Sequence, residues 1–411
     1  MTILLYASAA LFWFLLLFYS MVTVAGVKQR TNLKEDCHIE RYPSVAVFIP
    51  AYNEALVIKD TLKAMQRLDY PGQLDIYLLD DQSSDDTGTI AQEFARIFSS
   101  IHYIPVPDGK PKGKSRVLNY GLRISDSEYF VVYDADNQPE PDAVKLLMEK
   151  ALCTDKAVGA VGYVKTINYD KNILTRMIGL EFQVFQLLMQ CGRWGLFKLG
   201  SLAGTNMLVK REVLDEVGMY DEHALAEDAE LTVRITAAGY LLPVESEART
   251  WEQEPESLKA FIKQRTRWLS GNLYIMDKSL HEFDHWKGRT FFLSMQHLLT
   301  YFVFITLLLL SDIFFISGAL GYSLPKADIP LLLIWFMSYI VYVSHFFSSI
   351  VIDGNVTLRN VLLIFLMYFT YAQIFILLLA RSIFVYTWGR IRDKQQSWEK
   401  TRRFKDQGEG G

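Results

Sequence analysis

Cysteine is scarce in this chain of 411 residues, which has three: Cys37, Cys153 and Cys191. They match no metal-ligand spacing and provide no disulfide framework, so the soluble part is expected in a reducing compartment. An excess of positive charge is missing too. The formal net charge is -4, which gives no support to nucleic-acid binding. Internal repeats are absent, and so are low-complexity segments apart from a short glycine-ended tail. No Lys or Arg precedes the first apolar run, so the basic leader region of a cleaved signal peptide is lacking.

That run, from about Ile3 to Val27, is long enough to cross a hydrocarbon layer of roughly 30 Å. Lys28, Arg30 and Lys34 follow it, and the positive-inside rule then puts the downstream domain in the cytoplasm. Three more stretches, about Thr290–Leu320, Pro330–Ile352 and Val361–Trp388, are longer and more apolar than buried core helices, and spans are expected. The chain is too long for one ordinary soluble core. Its expected organisation is a transmembrane helix over 1–27, a soluble α/β domain over 28–254 and an amphipathic interfacial segment over 255–289. A transmembrane region over 290–388 and a basic tail over 389–411 complete it. The tail carries Arg390, Arg392, Lys394, Lys400, Arg402 and Arg403, which favours the cytoplasm. Three crossings after a cytoplasmic domain would leave it outside, so one stretch is expected to lie in the interface or re-enter.

The middle of the chain alternates short β-rich runs with amphipathic segments. Strands are expected at Ser44–Pro50, Leu74–Leu79, Ile101–Val106, Tyr129–Tyr133 and Ala157–Val164, with helices at Glu54–Leu68 and about Asp86–Phe98. This alternation indicates βαβ units and a mainly parallel, Rossmann-like sheet. Ligands on such sheets sit beyond the carboxyl ends of the strands. Polar residues concentrate there: Tyr52-Asn53-Glu54, Asp80 to Asp86, and Asp134-Ala135-Asp136.

Asp134 and Asp136 end an apolar strand, where two carboxylates can converge on a hard cation that keeps water and substrate phosphates as its other ligands. The same triplet also occurs as a solvated turn. Asp81 ends another strand and has no capping duty, whereas Ser83, Ser84 and Asp85 can cap the next helix. Lys110-Pro-Lys112-Gly-Lys114-Ser115 is a basic loop before a helix expected from about Arg116, and its lysines can meet a diphosphate. Glu227-Asp228 precedes a helix expected over Ala229–Ala238. Either acid can complement that helix dipole or serve as a general base. Gln264-Arg265-Thr266-Arg267-Trp268 lies in an amphipathic stretch, about Pro255–Met276, that also resembles an interfacial helix with Arg and Trp anchors. Asp312 and Arg381 lie within apolar stretches and are functional candidates on that ground.

In this order the motifs resemble the family 2 glycosyltransferases, particularly the membrane-bound processive branch of cellulose, hyaluronan, chitin-oligosaccharide and poly-N-acetylglucosamine synthases. The resemblance covers about Pro43 to Gly271. It rests on Asp81 after the second strand, Asp134 and Asp136, the acid pair Glu227-Asp228, and Gln264…Arg267-Trp268. It implies a GT-A fold flanked by transmembrane helices and an inverting transfer from a UDP-sugar that uses Mg²⁺ or Mn²⁺. Tyr52 and Glu54 would line the base pocket, Asp81 would meet the uridine and Lys114 would approach the nucleotide. Asp136, with Asp134 nearby, would hold the metal. Asp228 would be the base beside Glu227. Gln264 and Arg267 would close over the diphosphate, and Trp268 would stack on the acceptor.

The sequence departs from the family pattern in three places. Asp81 is followed by Gln82 rather than Gly, Ala226 replaces a Thr, and Ser201-Leu-Ala-Gly204 stands where cellulose synthases carry Phe-Phe-Cys-Gly. A C-terminal cyclic-dinucleotide sensor like that of cellulose synthases is not expected in the remaining length, so a regulatory or export partner, where one exists, is expected as a separate subunit. The expected acceptor is a growing glycan exported through the spans of a multi-pass cell-membrane protein. The alternative acceptor is a membrane lipid that receives one sugar.

Overall fold

The computed structural model describes residues 2–32, 37–224, 226–281, 288–324 and 329–391. Most of the expected basic tail, from position 392 onward, lies outside the described residues. Two compact units divide the rest. A helical unit takes residues up to 32, 180–197 and 295–381, and an α/β unit takes the remainder.

Helix α1 (Thr2–Thr31) opens the chain. In the α/β unit, one sheet is built from β1 (Val45–Ala51), β2 (Leu74–Asp80), β3 (Ile101–Pro105), β4 (Tyr129–Val132), β5 (Gln138–Pro139), β6 (Gly159–Thr166), β7 (Met207–Lys210) and β8 (Val244–Glu252). Their order is β3-β2-β1-β4-β7-β6-β8-β5. The first four are parallel, as expected. The other half is mixed: β7 runs antiparallel to β4 and β6, β8 parallel to β6, and β5 antiparallel to β8. Helices α2 (Ile58–Met65), α3 (Thr87–Ile97), α4 (Lys114–Ile124) and α5 (Ala143–Leu152) connect the early strands. Then α6 (Ile173–Phe185) continues through a π-helical segment (Gln186–Gly192) into α7 (Arg193–Phe197). Helices α8 (Val213–Val217), α9 (Glu227–Ala237) and α10 (Leu258–His281) follow.

Successive strand residues face opposite sides of a sheet, and here both sides are covered. Val45, Val47 and Ile49 pack with Ile58, Leu62 and Met65 of α2 and Val144 and Leu147 of α5. Ala46 and Phe48 pack on the other side with Val117, Leu118 and Leu122 of α4 and Leu231 of α9. A strand buried on both faces reads as an unbroken apolar run, which is why β1 was visible in the sequence. Helix α4 lies so close that a Cβ on Gly121 would stand 2.6 Å from Leu79 Cδ1. Ala51 pairs with Asp80, Asp80 with Pro105, and Phe48 with Val132. That register levels the carboxyl ends and brings the segments at 52–54, 81–87 and 134–136 to one edge.

One expectation is overturned. Cys37 and Cys153, 116 residues apart in sequence, form a disulfide, and Cys191 is the buried free thiol. Spacing along a chain does not reveal which thiols the fold brings together. The pair removes the cysteine argument for a reducing compartment.

The helical unit contains α1, the segment through α7, and parts or all of α11 (Gly288–Ala319), α12 (Leu331–Ile352), α13 (Leu358–Met367) and α14 (Tyr371–Ile391). Among the described residues, four helical stretches are long and apolar enough to cross a membrane: Leu5–Thr31, Phe302–Ala319, Leu331–Ile352 and Tyr371–Gly389. The stretch expected unbroken over 361–388 is divided. Its first part, α13, rises about 15 Å, half of a hydrocarbon layer. Helix α1 meets the π segment backbone to backbone. A Cβ on Gly26 would stand 2.3 Å from the Leu187 carbonyl oxygen, and one on Gly192 2.4 Å from that of Val22. Small residues at membrane helix contacts permit this approach. Asp312 accepts hydrogen bonds from Tyr368 and Gln373, each 3.2 Å long, and Arg381 is exposed.

Candidate active site

The loop after β1 is held by the loop after β2. Asn53 takes a left-handed conformation (φ 54°). Its amide donates to Ser83 Oγ at 2.8 Å, and its Oδ1 accepts from the Ser84 amide at 2.7 Å. The amides of Glu54 and Ala55 donate to Thr87 Oγ1 and Asp85 Oδ2. The two serines therefore fasten one loop to the other; α3 has no side-chain cap at Asp86. Glu54 is buried, and Tyr52 is 39% exposed. Asp80 is a structural acceptor for the Ser83 amide and the Tyr103 hydroxyl. Asp81 instead forms an ion pair with Arg116, whose Nη1 also donates to the Pro107 carbonyl. Gln82 sits at φ 62°, a conformation that glycine adopts without the penalty a side chain brings.

Of the basic loop, Lys110 and Lys112 are exposed, and Lys114, the first residue of α4, turns inward. Its Nζ donates to Asp134 Oδ1 and to the Gly204 carbonyl, both at 2.6 Å, and lies 3.7 Å from Glu227 Oε1. Burial works against this ammonium charge, but Asp134, Glu227 and Asp228 outweigh it and hold the lysine protonated above its ordinary range. Glu227 and Asp228 form the first turn of α9 rather than preceding it. Burial raises the Asp228 carboxyl to about 7, Glu227 adds to the rise, and Lys114 opposes it. A carboxylate tuned near neutrality can take a proton from a hydroxyl and release it again. Beside it, Gly204 is left-handed (φ +79°), and a Cβ there would stand 3.4 Å from Asp228 Oδ2. Thr232 links the two segments by accepting from the Leu202 amide and donating to the Asp228 carbonyl.

A second acidic group lies at the ends of β4 and β8. Asp136 is buried and accepts from the Gln253 amide at 3.1 Å. Asn137 donates to Glu252 Oε2 and accepts from Thr205 and Thr250. The Glu252 carboxyl is pushed well up by burial, then by Glu254, Asp136 and Asp134. Crowded carboxylates of this kind suit a hard divalent cation. Among the described residues, no three His, Cys, Asp or Glu side chains form a metal group by themselves. The donor set thus fits an ion held by one or two carboxylates, with other positions open to phosphate oxygens and water.

Gln264, Arg267 and Trp268 lie on one face of α10 at i, i+3 and i+4. Gln264 is buried, and the other two are half-buried. The guanidinium of buried Arg265 lies 4.1 Å from the centroid of the Trp268 ring and 5.2 Å from that of Phe261. One face of Trp268 is therefore already covered by a cation. The far end of α10 is fastened to α9 and to Asp221, which precedes α9. Lys278 donates to Asp221 and Glu230, Tyr274 donates to Asp221, and Arg234 chelates the Glu230 carboxylate.

Sequence reasoning brought Lys114, Asp134, Glu227 and Asp228 forward, and the structure unites them. It missed Arg116, Glu252 and Arg265. Arg116 continues the basic loop and Arg265 lies inside the Gln264–Trp268 motif, so both were signalled by position. Glu252 ends a strand that was not recognised.

Residues 43–271 match the model of the family described as Glycosyltransferase like family 2. The chain belongs to glycosyltransferase family 2. This family 2 enzyme is 36% identical over 409 residues to the Bacillus subtilis (strain 168) protein named "Probable glycosyltransferase YdaM", with 97% of each chain covered. It is 26% identical over 245 residues to the poly-beta-1,6-N-acetyl-D-glucosamine synthase of Staphylococcus aureus (strain COL), covering 60% of this chain and 58% of that one. Among solved structures it resembles mannosyltransferase PcManGT from Pyrobaculum calidifontis, in complex with GDP-Man and Mn2+, with a TM-score of 0.54 and 16% identity. That likeness covers 94% of this chain and 99% of the other and establishes the GT-A fold.

Proposed function

We propose that this glycosyltransferase elongates a polysaccharide from a UDP-sugar with inversion at the anomeric carbon, and that Asp228 is the base. The carrying observation is the Asp228 carboxyl, raised to about 7 and sharing Lys114 with Asp134. Asp228 takes the proton of the acceptor hydroxyl. The hydroxyl oxygen forms a bond to the anomeric carbon as the bond to the diphosphate breaks, and the diphosphate leaves with that electron pair. Glu227, next to Asp228, helps to hold its proton affinity high.

Tyr52 and Glu54 line the base pocket on a loop that Ser83, Ser84 and Thr87 hold in place. Asp81 receives the uridine, with Arg116 orienting its carboxylate. Asp136 and Asp134 hold Mg²⁺ or Mn²⁺, which when bound offsets negative charge on the diphosphate. Lys114 adds a positive charge on the same side. Gln264 and Arg267 close over the diphosphate, Arg267 through its forked donors. Trp268 stacks on the acceptor with the face that Arg265 leaves open.

The polymer reading is supported by similarity to a polysaccharide synthase over 245 residues and by four helices long enough to span. A multi-pass cell-membrane location with the α/β unit in the cytoplasm belongs to the same reading and is supported by Lys28 and Arg30, which follow the first span. Purified enzyme in proteoliposomes, supplied with one labelled UDP-sugar at a time, tests this. Long chains are expected beside unused short acceptor. A product bearing a single sugar and partitioning with lipid overturns the polymer reading in favour of a lipid glycosyltransferase.

A further inference from the structure

The helical unit contains a partly open cavity of about 260 Å³ that plays no part in the chemistry above. Its walls are mainly hydrocarbon and ring faces, among them Phe12, Leu16, Phe304, Leu308 and Phe375. A glycan would fit this lining poorly, because each hydroxyl buried without a partner loses its bonds to water without replacement. A hydrocarbon chain meets no such penalty, and each methylene it buries is removed favourably from water.

One end of the cavity differs from the rest. Tyr19 and Met189 line it there, and Arg193 stands beside both. Its Nη1 donates to the Met189 carbonyl at 3.4 Å, and its charge acts on the Tyr19 hydroxyl. Arg193 is 5% exposed. Its Nε and Nη2 have no hydrogen-bond partner among the described residues, and no carboxylate there forms a salt bridge with it. It directly follows the π-helical segment, a distortion that is frequent at functional sites. Arg193 adjoins this lining rather than forming part of it, and among the polar residues of the lining His345 has an Nε2 without a partner among the described residues. A buried guanidinium lacking a counter-charge is costly, and adjacent Nε and Nη donors match two oxygens of a phosphate.

We propose that the helical unit binds a lipid with a phosphate head group, placing one hydrocarbon chain in the cavity and two phosphate oxygens on Nε and Nη2 of Arg193. A diacyl phospholipid and an isoprenoid phosphate share this chemistry. The proposal does not rest on the assignment of Asp228.

The test uses the whole protein, purified in detergent and stripped of lipid, with thermal unfolding followed in four titrations. These use dioleoyl phosphatidic acid, an isoprenyl phosphate, dioleoylglycerol and inorganic phosphate. At least one of the two lipid phosphates should raise Tm by about 3 °C or more, and the stronger of them identifies the source. Dioleoylglycerol and inorganic phosphate should leave Tm unchanged. In Arg193→Gln, half-saturation should need about tenfold more lipid or worse. Its lipid-free Tm should hold or rise, because an unpaired buried charge is gone, and a merely structural arginine would give the opposite. Leu308→Trp, which fills the cavity, should abolish the lipid response. The proposal is overturned if no lipid phosphate stabilises, if dioleoylglycerol or inorganic phosphate alone does as well, or if either variant keeps the wild-type response. Should one variant not fold, the other and the four titrations on the wild type still decide.

Discussion

Replacing Asp228 with Asn separates two effects that its position ties together. The structure raises this carboxyl to about 7, whereas an unfolded chain ionises it near 3.9. Below about pH 4 both states hold the proton, and the residue is neutral to stability. Between about 4 and 7 the unfolded chain releases the proton and the folded one keeps it, so folding stability falls as pH rises. Above about 7 the folded state carries the whole burden. Three pH units correspond to about 4 kcal/mol. The residue is half-buried rather than sealed, and solvent screening reduces the figure to about 1–2 kcal/mol. Asn keeps the shape and never ionises. The variant should therefore match the wild type at pH 4 and unfold at a higher temperature at pH 8. Sugar transfer by the same preparation should fall by roughly 10²–10⁴ while UDP affinity holds, and wild-type transfer should rise with pH through about 7. Thermal unfolding at both pH values, with transfer and UDP binding on matched samples, makes the measurement. A variant less stable than the wild type at pH 8, or one turning over within about tenfold of it, refutes the assignment of the base.

Other expected outcomes follow from the same geometry. EDTA should stop transfer and Mg²⁺ or Mn²⁺ restore it, whereas Asp136→Ala should not be rescued by metal; full activity in chelator would reduce the acidic triplet to a strand-end turn. Gln82→Gly should stabilise the protein by about 0.5–1 kcal/mol, because it relieves a left-handed side-chain position, and an unchanged or lower Tm would count against the conformation. Trp268→Ala should shorten products or stop synthesis with UDP binding intact, and product length at a low enzyme-to-donor ratio reads it out.

The parallel half of the sheet was legible because β1, β2 and β4 are apolar runs buried on both faces. The antiparallel half was not. β8 interleaves buried Glu245 and half-buried Glu247 and Arg249 with its apolar residues, so its hydrophobic signal is interrupted, and β5 has two residues. Helix α2 was expected from Glu54 but starts at Ile58, because the intervening loop spends its amides on Thr87 and Asp85. No local pattern announces bonds to residues some thirty positions away. The acids of the site were legible because several fall together, in one order along the chain, at strand ends and at a helix start, although each taken singly also has a structural role open to it. Their partners were less so: Arg116 reaches Asp81 across 35 positions, and Lys114 reaches Gly204 across 90.

The attachment of α10 at Tyr274 and Lys278 makes that helix a lever with its pivot at the far end. Gln264 lies 14 residues before Lys278, an arm of about 21 Å at the α-helical rise. A tilt of about 10° around the pivot displaces Gln264 by about 4 Å, more than the length of a hydrogen bond. Under such a tilt the ion pairs of Glu230 would stay near the axis, while Gln264, Arg267 and Trp268, carried on one face of the helix, would shift together.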